Sequence, residues 1–437
     1  MAETLTFDNM IRLLHHQLEQ PPDHRTGKNI TYTIKDAGLG AFAVFFIQSP
    51  SFLAHQRQMK RIKGQSNAES FFGIERIPCD NQIRNLLDPV APDQLFPLYR
   101  TIFEALEQSG QLDSFRFLDD NLLISLDGTR YFSSQKIDCQ NCSHSTTDDG
   151  VTTYYHDIII PVLVAPGNKR VITLEPEFII PQDGHDKQDC EQTAAKRWIR
   201  RNAGQFAPGK ATVLGDDLYC KQPFCELLLE KEFNFILVCK PDSHTTLYEW
   251  IDFTGAQELV VRHWNGRFGE IHTYRYVHHV PLRRGDDALF VDWCELTITH
   301  ETTGEILYRN AFATNYLVTE DNVEMIVKAG RARWKSENES HNVLKTKGYH
   351  LEHNFGHGKV NLASVLLTLN LLAFLFHTVL SMIDAKYQSL RKELATRQTF
   401  FHDIRALTRY HFFTSWEAML DFMILQLELS PDELDSS

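Results

Sequence analysis

The first 118 residues carry apolar side chains at helical spacing, with proline and glycine between the runs. This spacing predicts helices over about residues 7–18, 36–58 and 95–109. A shorter pattern over 77–87 could form the second helix of a helix-turn-helix. We therefore expect residues 1–118 to be a separate helical N-terminal module.

From residue 121 the pattern changes to short β-rich runs bounded by turn residues. These runs predict three strands in sequence, over 122–126, 154–164 and 171–174. Helical and strand patterns then alternate, with helices over 187–202 and 222–233 and strands over 211–214 and 235–239. Three strands followed by alternating helix and strand indicate a mixed α/β sheet over residues 119–248.

Residues 249–315 break this alternation and predict an all-β insertion. The β-rich runs lie over 258–263, 271–280, 288–298 and 306–312. After the insertion, Thr319 followed by two acids is typical of a helix start, and the pattern predicts one helix that continues to about Lys345. We expect residues 316–400 to complete the α/β domain and residues 401–437 to form a helical acidic C-terminal tail.

Composition narrows the class of protein. The chain has 437 residues, of which 43% are hydrophobic and 23% charged, values typical of a folded soluble protein. A net charge of -13 argues against a uniformly basic nucleic-acid binder, so any contact with nucleic acid must be local. The N-terminal sequence does not resemble a secretion signal, so we expect a cytoplasmic protein. Polar residues interrupt the apolar stretch 362–382, which favours a buried helix over a membrane span.

Acidic residues fall where elements of the predicted sheet end. Asp127 follows the first strand, Asp216 and Asp217 follow the fourth, and Glu337 lies on the helix after the insertion. Sites in open α/β sheets collect outside the carboxyl ends of the strands, so these acids could converge. Because converging carboxylates repel one another, we expect a hard divalent cation such as Mg²⁺ to bind between them.

Three segments around these acids resemble the motifs of one enzyme family. They are LDGTRYFSS at 126–134, VLGDDLYC at 213–220 and RARWKSENESHNVLKTKGYHLEHNFGHG at 331–358. Together they resemble the acidic motifs of bacterial insertion-sequence DDE transposases, in the branch with a β insertion between its second Asp and its Glu. The resemblance covers about residues 120–385 and implies an RNase H-like catalytic domain.

The resemblance also implies which residues act. Asp127, Asp216 and Glu337 would be the catalytic residues and the ligands of Mg²⁺ or Mn²⁺, with Asp217 and Glu339 as alternatives to the last two. Two ions about 3.5–4 Å apart would assist in-line phosphoryl transfer.

The motif around the glutamate supplies two further candidates, both for DNA contact. The motif's arginine is Arg333, which the resemblance assigns to a DNA phosphate. The motif's lysine position holds Leu344, so that Lys345, one residue later, is the candidate there. The motif's tyrosine position holds Gly330.

The activity implied by this resemblance is transposition. The protein would bind the terminal inverted repeats of a mobile element, cleave the DNA and join the 3′-hydroxyl end to target DNA. We expect a homodimer in the synaptic complex, no membrane partner, and a nucleoid-associated location in a bacterial cytoplasm. Two alternatives stay open: an RNase H-like nuclease without strand transfer, and a non-catalytic DNA-binding derivative.

Two basic clusters and three tryptophans are the other candidates for DNA contact. Lys60 and Arg61 belong to a cationic patch between predicted helices, and Arg197, Arg200 and Arg201 lie together on another helix. Each cluster could equally be a solvated helix face. In hairpin-forming relatives an aromatic residue of the insertion holds a flipped base, for which the candidates are Trp250, Trp264 and Trp293.

Cysteine spacing predicts a second metal site. Cys139 and Cys142 form a CxxC motif that His144 follows closely, and Cys190 with His156 or His185 could complete a structural zinc site. The alternative is a set of free thiols. For the closely spaced His350, His353 and His357 we expect a structural or DNA-contact role rather than metal binding.

Overall fold

The computed structural model describes residues 5–23, 25–26, 30–181, 189–394 and 396–429, and its N-terminal part is helical. The helices are α1 (Phe7–Leu18), α2 (Ile34–Phe46), α3 (Phe52–Gln58), α4 (Asn67–Phe72), α5 (Asp80–Leu87) and α6 (Phe96–Gln108). Thr6, Thr33, Ser51 and Ser66 each cap one of the first four helices by accepting a backbone N–H. The helix predicted over 36–58 is divided near Pro50, because the residue before a proline disfavours helical geometry.

A mixed α/β region follows, as the sequence predicted. Its elements are β1 (Arg116–Phe117), β2 (Asn121–Ser125), β3 (Gly128–Ser134), β4 (Ser143–Thr146), β5 (Thr152–Ile159), β6 (Val162–Val164), β7 (Ile172–Thr173), β8 (Glu177–Ile179), α7 (Glu191–Asn202), β9 (Ala211–Gly215), α8 (Gln222–Glu230) and β10 (Asn234–Val238). The predicted strand over 154–164 is divided at Ile160-Pro161, because proline has no N–H to donate to the ladder.

Strands β2 to β8 include an antiparallel meander that contributes to two sheets. In the larger sheet β6 lies between β2 and β7, and in the smaller sheet β5 lies between β3 and β4, with β8 also pairing with β5. The chain passes from one sheet to the other at Leu126-Asp127 and again at Ile160-Pro161. Asp127 therefore lies at a bend between two strands, where its carbonyl accepts the Ile160 N–H at 3.2 Å.

The larger sheet continues through parallel strands. Strand β9 is parallel to β2 on one side and to β10 on the other, which gives the order β7-β6-β2-β9-β10. The carboxyl ends of β2, β9 and β10 consequently lie at the same edge of the sheet. Their side chains are almost all buried, as expected for strands covered on both faces.

The β-rich residues 249–315 extend this same sheet. After α9 (Thr245–Thr254) come β11 (Gln257–Trp264), β12 (Gly269–Pro281), β13 (Phe290–His300) and β14 (Ile306–Thr314), all antiparallel to their neighbours. Strand β14 pairs with β10, so the sheet is continuous. The four predicted strands are confirmed, but Trp250 lies on α9 rather than on a strand.

The segment predicted as one helix over 319–345 is not continuous. It comprises α10 (Val323–Arg331), a turn, a π-helix at Ser336–His341 and α11 (Asn342–Thr346). Longer helices follow: α12 (Leu362–Ile383), α13 (Ala385–Glu393), α14 (Arg397–Tyr410) and α15 (Trp416–Gln426). Single-turn π-helices occur frequently at functional sites, and this one carries Glu337.

Helix α12 is the one described helix that is long and apolar enough to cross a bilayer. Of the 18-residue window with that character, 83% is buried inside the fold. The prediction of a buried helix is therefore confirmed. Phe376 of α12 packs on Phe42 of α2, with ring centroids 5.0 Å apart.

The described C-terminal helices pack on the N-terminal ones. Trp416, which opens α15, lies 4.9 Å from the Phe7 ring and 5.2 Å from the Phe46 ring and is almost completely buried. Gln58 of α3 donates to the Thr408 hydroxyl of α14 at 3.0 Å. The N-terminal module and the C-terminal helices thus share one hydrophobic core.

Candidate functional site

Asp127 and Asp216 lie at the carboxyl edge of two neighbouring parallel strands. Asp127 follows β2, and Asp216 directly follows β9. The two strands stay in register to this edge, because the Leu126 N–H donates to the Leu214 carbonyl at 2.9 Å. Parallel pairing therefore places the two aspartates at the ends of neighbouring strands.

The adjacent acids Asp216 and Asp217 have different surroundings. The Asp217 carboxylate accepts hydrogen bonds from the Lys240 backbone N–H at 2.7 Å and from the Ser243 hydroxyl at 2.6 Å, so it fastens the loop after β10. Within the described part of the chain, the Asp216 carboxylate accepts the local Leu218 N–H at 2.9 Å. The charge of Asp216 acts on Asp127. These contacts favour Asp216 over Asp217 as the second acid of the site.

Glu337 lies on the exposed side of the π-helix above β2. The Ser125 hydroxyl donates to the Arg333 carbonyl at 3.3 Å, which holds the start of this segment against the strand. Arg333 lies in the turn before the π-helix rather than one turn away on a regular α-helix. The alternative acid, Glu339, acts electrostatically on the buried Lys335.

Asp127 has an unusual protonation equilibrium. Burial is the main cause that raises the pKa of Asp127 to about 7. The negative charges of Glu191, Asp216 and Glu337 act in the same direction, and the positive charge of Arg333 acts in the opposite one. All of these groups are therefore close enough to Asp127 for their charges to matter.

The structure adds a fourth carboxylate, Glu191, that we did not predict. Burial raises the pKa of Glu191, although the Tyr219 hydroxyl donates to its Oε1 at 2.6 Å. Gly128 leaves room for this carboxyl, since a Cβ at that position would lie 2.5 Å from Glu191 Oε2. The only sequence signal for Glu191 is its place in the first turn of a helix, which many acids share.

His341 is a second residue that the sequence analysis missed. It is the last residue of the π-helix, and its Nδ1 lies 3.5 Å from Asp127 Oδ2. Burial lowers the pKa of His341 to about 4, so its imidazole is neutral at pH 7. Its Nε2 is buried without a hydrogen-bond partner in the described part of the chain.

Four carboxylates, those of Asp127, Asp216, Glu337 and Glu191, supply the oxygen donors that Mg²⁺ and Mn²⁺ prefer. In the described part of the chain they do not form a group whose ligand atoms all lie within 4.8 Å of one another. The raised pKa of Asp127 measures the cost of a buried negative charge, and a bound cation would remove that cost. We name the four residues Asp127, Asp216, Glu337 and Glu191 the acidic group.

The predicted DNA-contact residues have varied surroundings. Arg197 pairs with Glu177 and Asp189 at 2.8 and 2.7 Å, and Arg201 also pairs with Glu177, at 2.6 Å. These ion pairs compensate much of the positive charge that we expected to face DNA. Arg200 is exposed.

The other basic candidates lie apart from that network. Lys345 pairs with Glu352 at 2.9 Å, and the motif's lysine position, Leu344, is buried. Lys60 and Arg61 are exposed in the turn after α3, where Arg61 donates to the Gly64 carbonyl at 3.0 Å.

Two cysteines and two histidines form a compact group that could hold a metal ion such as zinc. They are Cys139, Cys142, His156 and His357. The two sulfur atoms lie 3.8 Å apart, and His156 Nε2 lies 3.5 Å from each. His357 Nε2 lies 3.5 Å from Cys142 Sγ and 3.1 Å from His156 Nε2. We name these four residues the Cys₂His₂ cluster.

The prediction of this cluster was correct for some residues and wrong for others. Cys139, Cys142 and His156 belong to it. Cys190 does not, because it precedes α7 and its thiol contacts the Thr193 hydroxyl at 3.2 Å within the first turn. His144 is exposed on β4, and its strand partner is Tyr154.

One of the remaining histidine candidates, His357, differs from our expectation. His357, for which we expected no metal, is the fourth member of the cluster, whereas His350 and His353 are not part of it. His185 lies outside the described residues. The sequence signal for His357 was the pair of glycines that flank it. Glycines allow a loop to pack closely against strands that are distant in sequence, here β3 to β5.

A second group of possible metal ligands consists of Cys220, Cys239 and His244. The imidazole of this group already makes hydrogen bonds. His244 Nε2 lies 2.6 Å from the Cys220 carbonyl and Nδ1 lies 3.0 Å from the Ser243 hydroxyl. Both ring nitrogens therefore have hydrogen-bond partners, and we assign this group to the buried packing between β10 and α9.

Comparison with known proteins leaves the family of the chain open. No family model matches the sequence, and no curated protein matches it. The functional argument therefore depends on the geometry of the acidic group and of the Cys₂His₂ cluster.

Proposed function

We propose that the chain is a metal-dependent DDE transposase with an RNase H-like catalytic domain. The observation that carries this proposal is the placement of Asp127 and Asp216 at the carboxyl ends of adjacent parallel strands, with Glu337 near enough for its charge to act on Asp127. The acids come from the three segments that resemble the family motifs. The proposal requires these three acids to converge on a shared cation.

The order of the strands supports the same proposal. In the larger sheet the antiparallel strands β2, β6 and β7 come before β9 and β10, which alternate with helices. Strand β9 then pairs in parallel with β2 on one side and with β10 on the other. The β-rich segment 257–314 lies between the second aspartate and the glutamate, as the insertion does in that branch of the family. The segment carrying Glu337 then returns to the strand that precedes Asp127.

In this proposal Asp127, Asp216 and Glu337 hold Mg²⁺ or Mn²⁺ against a scissile phosphodiester of DNA. The bound cations would neutralise charge on the phosphate during in-line attack by water or by a 3′-hydroxyl. Arg333 contacts the same phosphate and orients it. His341 is neutral, and its Nδ1 lies 3.5 Å from Asp127 Oδ2.

Basic side chains contact the DNA outside the site. The exposed Lys60, Arg61 and Arg200 would each bind backbone phosphates, and Lys345 would do so after leaving its partner Glu352. Arg197 and Arg201 contribute less, because their acidic partners already compensate them. In this proposal two copies of the chain form a homodimer that holds both DNA ends. The protein acts in a bacterial cytoplasm. We also propose that the metal of the Cys₂His₂ cluster is a structural Zn²⁺.

Cleavage of element-end DNA tests the proposed function. The substrate is a duplex that carries the inverted repeats flanking the gene, incubated with the full-length protein and Mg²⁺. We expect cleavage at the repeat boundary and a loss of about 10²-fold or more in Asp127→Asn and Glu337→Gln, since a metal site contributes several kcal/mol to such a reaction. Glu339→Gln is the matched control, and it should cleave normally. Full cleavage by Asp127→Asn would exclude the acidic group as the active site.

The products of the same reaction separate transposition from the two alternatives. Joining of a labelled 3′ end to a target plasmid identifies a transposase. Cleavage without joined products identifies a nuclease of the same superfold. Tight binding of the repeat duplex with no cleavage in Mg²⁺ or Mn²⁺ identifies a non-catalytic derivative.

A further inference from the structure

The donor atoms of the Cys₂His₂ cluster have the spacing of a tetrahedral zinc site. With Zn–S and Zn–N bonds of about 2.3 and 2.05 Å, a tetrahedron requires separations of about 3.8 Å for S–S, 3.6 Å for S–N and 3.3 Å for N–N. The observed separations are 3.8 Å between the sulfurs, 3.5 Å for three sulfur–nitrogen pairs and 3.1 Å between the nitrogens. Hydrogen bonds among the same four neutral side chains would not require the donor atoms to have the separations of a tetrahedral zinc site.

The surroundings of the cluster are those of a closed, structural site. Cys142, His156 and His357 are buried, and Cys139 is partly so. His357 Nδ1 donates to the Gly358 carbonyl at 3.0 Å, which directs Nε2 towards the thiols. Four protein donors leave no coordination position for a substrate, which distinguishes a structural zinc from a catalytic one.

The cluster joins three stretches of chain that are distant in sequence. The thiols lie in the loop between β3 and β4, His156 lies on β5, and His357 lies in the loop before α12. Beside the cluster, Asn141 donates from Nδ2 to the Val360 carbonyl at 2.7 Å. The loop of residues 355–362 is thereby attached to the smaller sheet, and we name it the α12 entry loop.

The other side of the α12 entry loop is held by the N-terminal helices. Arg84 of α5 donates from Nε to the Phe355 carbonyl at 3.1 Å. Asp88, directly after α5, accepts the backbone N–H groups of residues 359–362 at 3.0–3.2 Å. The α12 entry loop therefore lies between the Cys₂His₂ cluster and α5.

We propose that the Cys₂His₂ cluster binds one Zn²⁺ and that this ion fastens the α12 entry loop, and through it α5, to the smaller sheet. On binding, both thiols lose their protons to solvent and all four side chains coordinate the ion. Without the ion, the loop keeps the contacts from Asn141, Arg84 and Asp88 but loses the attachment through His357. This inference is independent of the proposed transposition chemistry, because no member of the cluster belongs to the acidic group.

Metal content tests the site itself. We expect the full-length protein to be purified with about one Zn²⁺ per chain, and Co²⁺ exchanged into it to give the visible bands of a tetrahedral thiolate site. Cys139→Ser and His357→Ala should lose the ion, and Cys190→Ser, at an exposed thiol outside the cluster, should keep it. Absence of Zn²⁺ together with failure to bind Co²⁺, or an equal loss in Cys190→Ser, overturns the site.

Hydrogen exchange tests the fastening. After Zn²⁺ is removed with a chelator, we expect backbone amides of residues 355–362 and of α5 to exchange at least about tenfold faster, because the loop loses one attachment. Amides of β12 and β13, which are remote in the sheet, serve as the internal control and should not change. Cys139→Ser, in which a serine replaces a half-buried ligand, should reproduce the change without chelator. Unchanged exchange in residues 355–362 after confirmed loss of Zn²⁺ overturns the fastening but not the site.

Discussion

Two features of its surroundings disfavour the negative charge of the Asp127 carboxylate. It is largely buried, which disfavours its charge, and it is surrounded by Glu191, Asp216 and Glu337, which disfavour that charge further. Arg333 compensates only in part. Carboxyl groups with a strongly raised pKa are common in functional sites. A raised carboxyl pKa lowers the stability of the folded protein at neutral pH, so a residue with a purely structural role would be expected to have an ordinary pKa.

The Asp127 pKa leads to a prediction about pH and Mg²⁺. Between about pH 4 and 7 the folded protein keeps a proton on Asp127 that the unfolded chain has released, so the free energy of unfolding should fall with rising pH by at most about 4 kcal/mol. Mg²⁺ binds the ionised form, so its stabilising effect should be larger at about pH 8 than at about pH 5. Thermal unfolding with and without Mg²⁺ at both pH values measures this difference.

Asp127→Asn is the control for that measurement. An amide does not titrate in this range, so the variant should lose most of the difference between the two pH values. A Mg²⁺ stabilisation that is equally pH-dependent in the variant would contradict the assignment of Asp127 as a ligand.

The individual site residues divide into those that local sequence predicts and those that only the fold brings together. Asp127 and Asp216 were predictable because each ends a recognisable strand, and parallel strands align their ends. Cys139 and Cys142 were predictable from their spacing. Glu191, His341 and His357 were not, because each reaches its group from an element whose approach depends on tertiary packing.

At the scale of the element, strands were predicted better than the helix of Glu337. The four runs of the β-rich segment match β11 to β14, since alternation and turn residues are local signals. The segment 319–345 has helical spacing throughout, yet it contains a turn and a π-helix. The polar residues Ser336, Ser340 and His341 are buried there, and burial of polar side chains is not visible in apolar periodicity.

The hairpin of β11 and β12 presents an exposed tryptophan. Trp264 ends β11 and is 72% exposed, whereas Trp293 on β13 is buried. Of the two strand tryptophans, only Trp264 is available to stack on a DNA base. We expect Trp264→Ala to weaken binding of repeat DNA with unpaired end bases by about 1–3 kcal/mol, without a change in thermal stability. Fluorescence anisotropy and thermal unfolding measure the two effects.

Phe253→Ala is the matched control for Trp264. Phe253 is 90% exposed but lies on α9, outside the hairpin. Its replacement should alter neither binding nor stability. Equal binding by Trp264→Ala and the wild-type protein would exclude a base-stacking role for the hairpin.

At the scale of the whole molecule, the N-terminal helices depend on elements from the other end of the chain. Helix α2 has 11 buried residues of 13, so nearly its whole circumference is covered. Phe42 packs on Phe376 of α12, and Phe46 packs on Trp416 of α15. An apolar helix face looks the same in sequence whichever partner covers it, which is why the sequence suggested a separate module.

This dependence predicts that residues 1–118 alone do not form a stable domain. Removal of α12 and α15 exposes the apolar surfaces of α1 and α2 on which those two helices pack. We expect the fragment to unfold without a cooperative transition and to aggregate or bind a hydrophobic dye, whereas the full chain unfolds cooperatively. Circular dichroism during heating and calorimetry compare the two. A cooperative transition of the isolated fragment, at a temperature close to that of the full chain, would establish an independent domain and contradict the shared core.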